Sequence, residues 1–224
     1  MRKEAYIGQK AQIQAAIFDM DGTIFDTEQI YRRAWLSAGV PEPLYRSYIG
    51  TPRAYIKKLL TENGFDAEEI YRQKDAFTAA ETAVRVPVKP GAEACLAFLK
   101  EHGIRCAIAT SSSVETAQTY LAKSGLAPYF DVVCSGNQVE KGKPAPDVFL
   151  YAAELLGTAP EQCFVVEDSF NGVRAGHAAG MFTVMIPDLV APDEEILALA
   201  DACLESLAQL PDLLIDKKLV IACN

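Results

Sequence analysis

An apolar segment near the start of the chain ends at two aspartates that a single residue separates. Ala15–Phe18 is apolar, and Asp19, Met20 and Asp21 follow it directly, before Gly22. Side chains two positions apart in an extended strand point to the same side, so Asp19 and Asp21 can both face one site. Two carboxylates this close repel each other, which calls for a cation or a retained proton. The pattern predicts a buried strand that ends at a chemical site; a strand end with two solvated aspartates is the alternative.

Polar side chains also stand at the ends of later apolar runs. Thr110 ends one such run, Glu167 and Asp168 end another, and Lys143 lies between them in a loop that contains prolines. In open parallel α/β sheets, ligands bind beyond the carboxyl ends of the strands, near the point where the strand order reverses. Sheet geometry alone therefore predicts that Asp19, Thr110 and Asp168 meet.

The alternation of strand-like and helix-like segments predicts a parallel sheet with helices on both faces. Apolar runs predict strands at 15–19, 104–109, 132–134, 163–166 and 182–186. Amphipathic segments predict helices that end near Gly103 and Ser124, and further helices at 147–156 and 172–179. Ser112 and Glu115 have the spacing of a capping box, with Ser112 as the capping residue of the helix that ends near Ser124.

The segment from Thr27 to about Arg85 has helix signals and no clear strand. Helices are predicted there at 27–38, from 51–52 to 63–64, and at 66–84. Asp26 either caps the first of them, with Gln29 three residues later, or contacts a ligand. The predicted fold is therefore α/β, with a Rossmann-like doubly wound parallel sheet core at 1–25 and 87–224. An inserted all-α cap domain is predicted at 26–86, joined by linkers at 24–26 and 86–89.

The composition is that of a globular protein. Half of the 224 residues are hydrophobic and 23% are charged. The formal net charge of −9 argues against nucleic-acid and anionic-membrane partners, which favour basic surfaces. No apolar run approaches the roughly 20 residues that span a bilayer, and no signal peptide is recognisable. The six cysteines are scattered, so Cys106, Cys134 and Cys163 are predicted to be small buried residues, which fits a cytoplasmic protein.

Four motifs, taken together, resemble those of the haloacid dehalogenase-like phosphotransferase superfamily. They are Asp19-Met20-Asp21-Gly22-Thr23, Thr110, Lys143 and Glu167-Asp168. Three segments are similar to the branch of β-phosphoglucomutases and small sugar-phosphate phosphatases, namely Asp26-Thr27-Glu28, 142–147 and Glu167-Asp168-Ser169. The resemblance extends from about Ala15 to about Leu214. It implies a cap that closes over the site, excludes water and selects the substrate.

The resemblance implies a role in phosphoryl transfer for each acidic motif residue. Asp19 is the implied nucleophile, which forms an aspartyl phosphate. Asp21 is implied to protonate the leaving alcohol and then to activate the hydrolytic water. Mg²⁺ is the implied cofactor, held by Asp19, the backbone carbonyl of Asp21 and Asp168. Glu167 is implied to bind the ion directly or through water.

Four further residues complete the implied substrate site. Thr110 and the adjacent Ser111 are implied to hold the phosphoryl oxygens, and Lys143 to neutralise charge between Asp19 and the phosphate. Arg53 aligns with a cap arginine that contacts substrate phosphate in the mutases. Simpler interpretations remain open: Thr110 as an ordinary helix N-terminal residue, and Lys143 and Arg53 as solvated surface residues.

The sequence favours hydrolysis over isomerisation. β-Phosphoglucomutases carry a histidine where this chain has Tyr31, and a Lys-Asn pair where it has Ser113-Val114. Related dehalogenases and phosphonate hydrolases lack the aspartate that stands here at Asp21. The sequence thus predicts a Mg²⁺-dependent phosphatase of a small phosphorylated metabolite, with a sugar phosphate as the first choice, acting as a monomer or weak dimer. A phosphomutase is the alternative, and a catalytically idle binding module is a third hypothesis.

Overall fold

The computed structural model of the protein describes residues 12–48, 53–217 and 219. The strands are β1 (Ala15–Phe18), β2 (Arg105–Thr110), β3 (Val132–Ser135), β4 (Cys163–Glu167), β5 (Phe182–Met185) and β6 (Ala202–Cys203). The helices are α1 (Glu28–Ser37), α2 (Glu42–Arg46), α3 (Arg53–Glu62), α4 (Ala67–Glu81), α5 (Ala92–Glu101), α6 (Val114–Ser124), α7 (Asp147–Leu156), α8 (Phe170–Ala178), α9 (Glu194–Leu199) and α10 (Leu210–Asp216). The predicted helix start at 51–52, the extension at 1–11 and Cys223 lie outside the described residues.

The strands form one parallel sheet in the order β3-β2-β1-β4-β5-β6, which confirms the predicted fold class. Phe18 of β1 pairs with Ile108 of β2 on one side and with Val166 of β4 on the other. The strand order therefore reverses at β1, and the crevice beyond its carboxyl end is the expected ligand position. Asp19, the first residue after β1, lies at this crevice. The two residues of β6 are too few to form a recognisable apolar run.

Alternate residues of β1 enter two apolar layers, one on each face of the sheet. Ala16 and Phe18 belong to a cluster with side chains of α5, α6 and α10. Ala15 and Ile17 belong to a second cluster with side chains of α7 and α8. Each residue of β1 is fully buried, which explains why the strand reads as a continuous apolar run rather than as an alternating one.

Helices α1 to α4 form the insertion, which has an apolar cluster of its own. Trp35, Leu60 and Tyr71 are buried in it, and the ring centroids of Trp35 and Tyr71 are 5.2 Å apart. In the described part of the segment between the linkers there is no strand, as expected for an all-α cap. The sequence pattern does not predict α2, because five residues are too few to show a helical period.

The two linkers between the cap and the core run side by side. The N–H of Asp26 donates to the carbonyl of Pro87, and the N–H of Lys89 donates to the carbonyl of Ile24, both at 2.9 Å. Lys89 also forms an ion pair of 2.7 Å with Asp188, in the loop after β5. These contacts support the proposal that the cap spans 26–86.

The predicted helix cap at Ser112 is wrong, and so is one of the two alternatives left open for Asp26, the role of a helix cap. Helix α6 begins at Val114, and its capping residue is Ser113, whose hydroxyl accepts the N–H of Thr116 at 3.2 Å. Ser113 has the extended backbone that a capping residue needs, whereas the hydroxyl of Ser112 points to the carboxylate of Asp21. Helix α1 has no side-chain cap, and the carboxylate of Asp26 instead lies 3.9 Å from the ammonium group of Lys89.

The cysteine prediction is confirmed where the structure describes it. Cys106, Cys134 and Cys163 are buried free thiols, and burial raises the pKa of each of them, to about 11 for Cys134 and about 12 for Cys163. Of the helices in the described residues, none combines the length and the apolar character that crossing a membrane requires.

Two adjacent leucines of α7 provide a test of the core. Leu156 is 1% exposed and Leu155 is 49% exposed. We expect Leu156→Ala to lower the free energy of unfolding by about 2–5 kcal/mol, because it leaves a cavity beneath the sheet. Leu155→Ala, the same change one position earlier, should alter it by less than about 1 kcal/mol. Urea unfolding followed by circular dichroism measures both; equal losses would contradict this description of the core.

Candidate active site

The carboxyl ends of the two strands beside the reversal point bring three carboxylates together. Asp19 follows β1, Glu167 ends β4, and Asp168 follows β4. One oxygen from each of these side chains lies within 4.8 Å of the others. Thr110, the last residue of β2, is also buried at this edge of the sheet, so it is not the helix N-terminal residue of the simpler interpretation. The structure thus brings together the residues that strand geometry predicted to meet.

Lys143 provides the positive charge at the centre of this acidic cluster. Its ammonium group lies 2.6 Å from a carboxylate oxygen of Asp19 and 2.6 Å from one of Glu167, and it donates to the carbonyl of Ala109 at 2.9 Å. Burial alone would lower the pKa of Lys143, but the carboxylates of Asp19 and Glu167 outweigh it and raise this pKa. Lys143 is 8% exposed, so the interpretation as a solvated loop lysine is wrong.

Glu167 is completely buried, and both of its carboxylate oxygens accept hydrogen bonds from the chain. One oxygen accepts from Lys143, and the other accepts from the N–H of Asp168 and from both the N–H and the hydroxyl of Ser169. A Cβ at Gly172, in the first turn of α8, would overlap the carboxyl group of Glu167, so a glycine is required there. Direct binding of a metal by Glu167 and binding through water both stay predictions.

Asp168 is oriented by the turn that follows β1. The hydroxyl of Thr23 donates to one of its oxygens at 3.1 Å. Gly22 has a φ of +87°, and a Cβ there would overlap the carboxyl group of Asp168. The hydroxyl of Ser169 caps α8 by accepting the N–H of Gly172, so neither Glu167 nor Asp168 serves as the cap of that helix.

Burial and neighbouring carboxylates raise the pKa values of two residues of this cluster, Asp19 and Asp168. Burial raises the pKa of Asp19 to about 8; Lys143 opposes the increase, while Glu167 and Asp21 add to it. Burial likewise raises the pKa of Asp168 well above its usual range, with further contributions from Glu167 and Asp19. A divalent cation with a preference for oxygen ligands relieves such crowding, and Mg²⁺ fits this set of donors.

Asp21 lies at the junction of the cap and the core, where three hydroxyl groups donate to its carboxylate. The hydroxyls of Thr27 and Tyr31 donate to one oxygen, and that of Ser112 donates to the other, each at 2.7 Å. Neither Tyr31 nor Ser112 was predicted to belong to the site. The sequence places Tyr31 four residues after Thr27, and this spacing puts the two side chains on the same side of the helix start.

Two predicted substrate-binding residues have no contact with the acidic cluster in this structure. The guanidinium of Arg53 lies 4.0 Å from the centroid of the Tyr71 ring and 3.6 Å from the carboxylate of Asp75, all within the cap. Ser111 is exposed at the end of β2, next to Thr110, whose hydroxyl accepts the N–H of Ser112 at 3.0 Å. Substrate binding by Arg53 and Ser111 stays a prediction.

A further acidic residue that the sequence analysis did not assign lies beside the site. Burial raises the pKa of Glu28 to about 8, and the nearby carboxylates of Asp21, Asp188 and Asp19 contribute to the shift. The side chain of Glu28 approaches Gly22, on the same side as Asp168. Further acidic groups therefore lie where the cap meets the core, outside the cluster itself.

The fold and the site define an α/β enzyme with a helical cap over a carboxylate cluster that suits a cation and an oxyanion. Comparison with known proteins makes the family explicit. Residues 13–180 match the model of the haloacid dehalogenase-like hydrolases, and the chain belongs to this family, in its branch of β-phosphoglucomutase-like proteins and sugar-phosphate phosphatases.

Three relatives illustrate the branch. The phosphorylated carbohydrates phosphatase of Thermotoga maritima is 37% identical over 185 residues, which cover 75% of this chain and 82% of that protein. The fructose-1-phosphate phosphatase YqaB of Escherichia coli is 35% identical, covering 75% of this chain and 93% of that protein. The crystal structure of CbbY from Rhodobacter sphaeroides in complex with phosphate has a TM-score of 0.74 at 30% identity, covering 88% of this chain and 96% of that chain.

The raised pKa values predict how Mg²⁺ affects stability. Asp19 holds its proton in the folded, metal-free protein at pH values at which the unfolded chain has lost it. The stability of the metal-free protein therefore falls as the pH rises from 3.8 through about 8, and Asp168 adds to this trend. Mg²⁺ competes with those protons, so it should raise the melting temperature more at about pH 8.5 than at about pH 6.

Differential scanning fluorimetry with and without MgCl₂ measures this effect. Asp168→Asn should abolish most of the increase, whereas Asp212→Asn, the same change at an exposed position of α10, should preserve it. An increase that is larger at the lower pH, or that survives in Asp168→Asn, would count against a metal at this cluster.

Proposed function

We propose that the protein is a Mg²⁺-dependent phosphatase that hydrolyses a small phosphorylated metabolite, namely a sugar phosphate, through an aspartyl-phosphate intermediate on Asp19. The observation that carries the proposal is the buried ion pair of Asp19 with Lys143, beside Asp168 and two residues before Asp21. This arrangement supplies a nucleophile, charge compensation and a proton donor, which are the requirements of phosphoryl transfer.

In the first step, a carboxylate oxygen of Asp19 bonds to phosphorus while the bond to the leaving oxygen breaks. Asp21 gives its proton to that oxygen, so the alcohol leaves as a neutral molecule. Lys143 keeps the Asp19 carboxyl group oriented and balances the charge that the phosphate brings. Thr110 lies at the end of β2, where it can hold a phosphoryl oxygen.

In the second step, water replaces the carboxylate on phosphorus. Asp21, now ionised, accepts a proton from the water, and Asp19 is released as a carboxylate. Mg²⁺, held by Asp19, Asp168 and the backbone carbonyl of Asp21, would supply electrostatic stabilisation of the phosphoryl oxygens. Asp21 loses a proton in the first step and gains one in the second, so each step leaves it in the protonation state that the other step requires.

Acidic groups beside the site favour an alcohol with many hydroxyl groups as the leaving group. The carboxylates of Asp21 and Asp188 lie close enough to Glu28 to add to the effect of burial on its pKa. Carboxyl groups form hydrogen bonds with sugar hydroxyls. The names of the relatives from Thermotoga maritima and Escherichia coli, which act on a phosphorylated carbohydrate and on fructose-1-phosphate, support the same substrate class.

The phosphomutase remains the second candidate because the cap provides Arg53, which could hold a second phosphate. In this structure Arg53 is engaged by Asp75 and by the Tyr71 ring, which favours the phosphatase. The idle binding module is disfavoured, because Asp19, Asp21 and Lys143 are all present and connected to the site.

Chemical trapping tests the intermediate. Borohydride reduces an acyl phosphate to an alcohol, so treatment during turnover should convert Asp19 into homoserine, detectable by peptide mass spectrometry. When 4-nitrophenyl phosphate is the substrate, whose leaving group needs no proton, the signal should increase in Asp21→Ala, because that variant lacks the base that activates water for the second step. Asp19→Asn should give no trapped product and should lower kcat by at least about a thousandfold. Trapping at another residue, or undiminished turnover by Asp19→Asn, would refute the covalent mechanism.

A substrate panel tests the reaction. We expect Mg²⁺-dependent phosphate release from hexose and pentose monophosphates. The value of kcat/KM should be lower for a sugar bisphosphate, because the acidic side chains beside the site offer no positive charge to its second phosphate. Glucose 1-phosphate is then incubated with catalytic glucose 1,6-bisphosphate. Formation of glucose 6-phosphate without phosphate release would establish the phosphomutase instead.

A further inference from the structure

The carboxylate of Asp21 is held only by hydroxyl donors among its described contacts. Thr27 and Tyr31 come from the start of the cap, and Ser112 comes from the loop after β2 in the core. All three donor–acceptor distances are 2.7 Å. A hydroxyl group can both donate and accept a hydrogen bond, unlike an ammonium or a guanidinium group, which only donates. The environment of Asp21 can therefore satisfy either protonation state of this residue.

We propose that Tyr31 is a positioning residue for the proton transfer of Asp21, and that it fixes the carboxyl group from the cap. The inference deepens the proposed function and rests on it. When Asp21 is ionised, the Tyr31 hydroxyl donates to it. When Asp21 is protonated, a rotation of the hydroxyl lets Tyr31 accept instead, so the carboxyl group keeps its orientation through both steps of the reaction.

The surroundings of Tyr31 hold its ring in one place. Tyr120 of α6 lies close enough to interact with the hydroxyl of Tyr31, and Tyr120 in turn interacts with Thr82 after α4. The ammonium group of Lys74 lies 4.6 Å from the centroid of the Tyr31 ring.

Loss of Tyr31 should affect only those substrates whose leaving group needs a proton, which loss of a merely structural residue would not do. Asp21 has to protonate the leaving oxygen of a sugar phosphate, whose alkoxide is a poor leaving group. It need not protonate 4-nitrophenolate, which leaves as a stable anion. A residue that acts by orienting the acid therefore changes kcat/KM for the sugar phosphate and leaves kcat/KM for 4-nitrophenyl phosphate nearly unchanged. The ratio kcat/KM is the proper quantity, because it reports on the steps up to departure of the alcohol.

The experiment compares Tyr31→Phe with the wild type on both substrates. We expect kcat/KM for the sugar phosphate to fall about tenfold to about a hundredfold, the range for loss of one hydrogen bond to a charged group, and that for 4-nitrophenyl phosphate to change less than about twofold. Tyr45→Phe is the matched control, because its hydroxyl is buried in the cap without a hydrogen-bond partner. Tyr45→Phe should leave both values unchanged.

A second variant keeps the test decisive if Tyr31→Phe does not fold. Ser112→Ala removes a donor to the other oxygen of Asp21 from the core side, and it should show the same selective loss. Equal losses on both substrates, or no loss on the sugar phosphate, would overturn the positioning role. Inactivity of the wild type on both substrates would instead overturn the proposed function, so the two failures are distinguishable.

Discussion

The two ion pairs of Lys143 are the interaction on which the site depends. Burying a carboxylate without a partner is costly, and Asp19 and Glu167 are both buried at the carboxyl end of the sheet. One ammonium group lies 2.6 Å from each of them, compensates one unit of negative charge and donates a hydrogen bond to both carboxylates. In the proposed mechanism the same contact orients Asp19 for attack, and Lys143 is the one side chain among the described residues that donates to its carboxylate. Stability and the proposed reactivity thus both depend on one residue of a loop that is far from both partners in the sequence.

The sheet topology makes this arrangement possible. Reversal of the strand order at β1 opens a crevice between the loops that follow β2 and β4, and Asp19 projects from the strand at its centre. Burial and the neighbouring carboxylates both disfavour ionisation in such a crevice, and they raise the pKa values of Asp19 and Asp168. Cations compensate the negative charge of such a site, and Lys143 provides one of them. The remaining negative charge explains why a divalent ion and a phosphate suit it together.

The sequence predicts those parts of the fold that leave a local pattern. The continuous apolar runs identify β1, β2 and β4, and the residues at their ends identify the acidic cluster. The sequence does not predict contacts between loops that are distant in the chain. Ser112 reaches Asp21 across 91 positions, and the choice between Ser112 and Ser113 as the helix cap depends on that contact. The places of Glu28 and Asp188 beside the site likewise depend on how the cap meets the core.

Asp21 differs from Asp19 in the kind of partner that each one has, and this difference matches their chemistry. In the proposed mechanism Asp19 stays an anion until it attacks, and its partner Lys143 can only donate. Asp21 exchanges a proton in every cycle of that mechanism, and its partners are hydroxyl groups that can reverse their direction. Two of the three belong to the segment that begins the insertion, so the orientation of Asp21 depends on where α1 lies relative to the core. If the proposed function holds, the inserted helices are therefore part of the catalytic geometry.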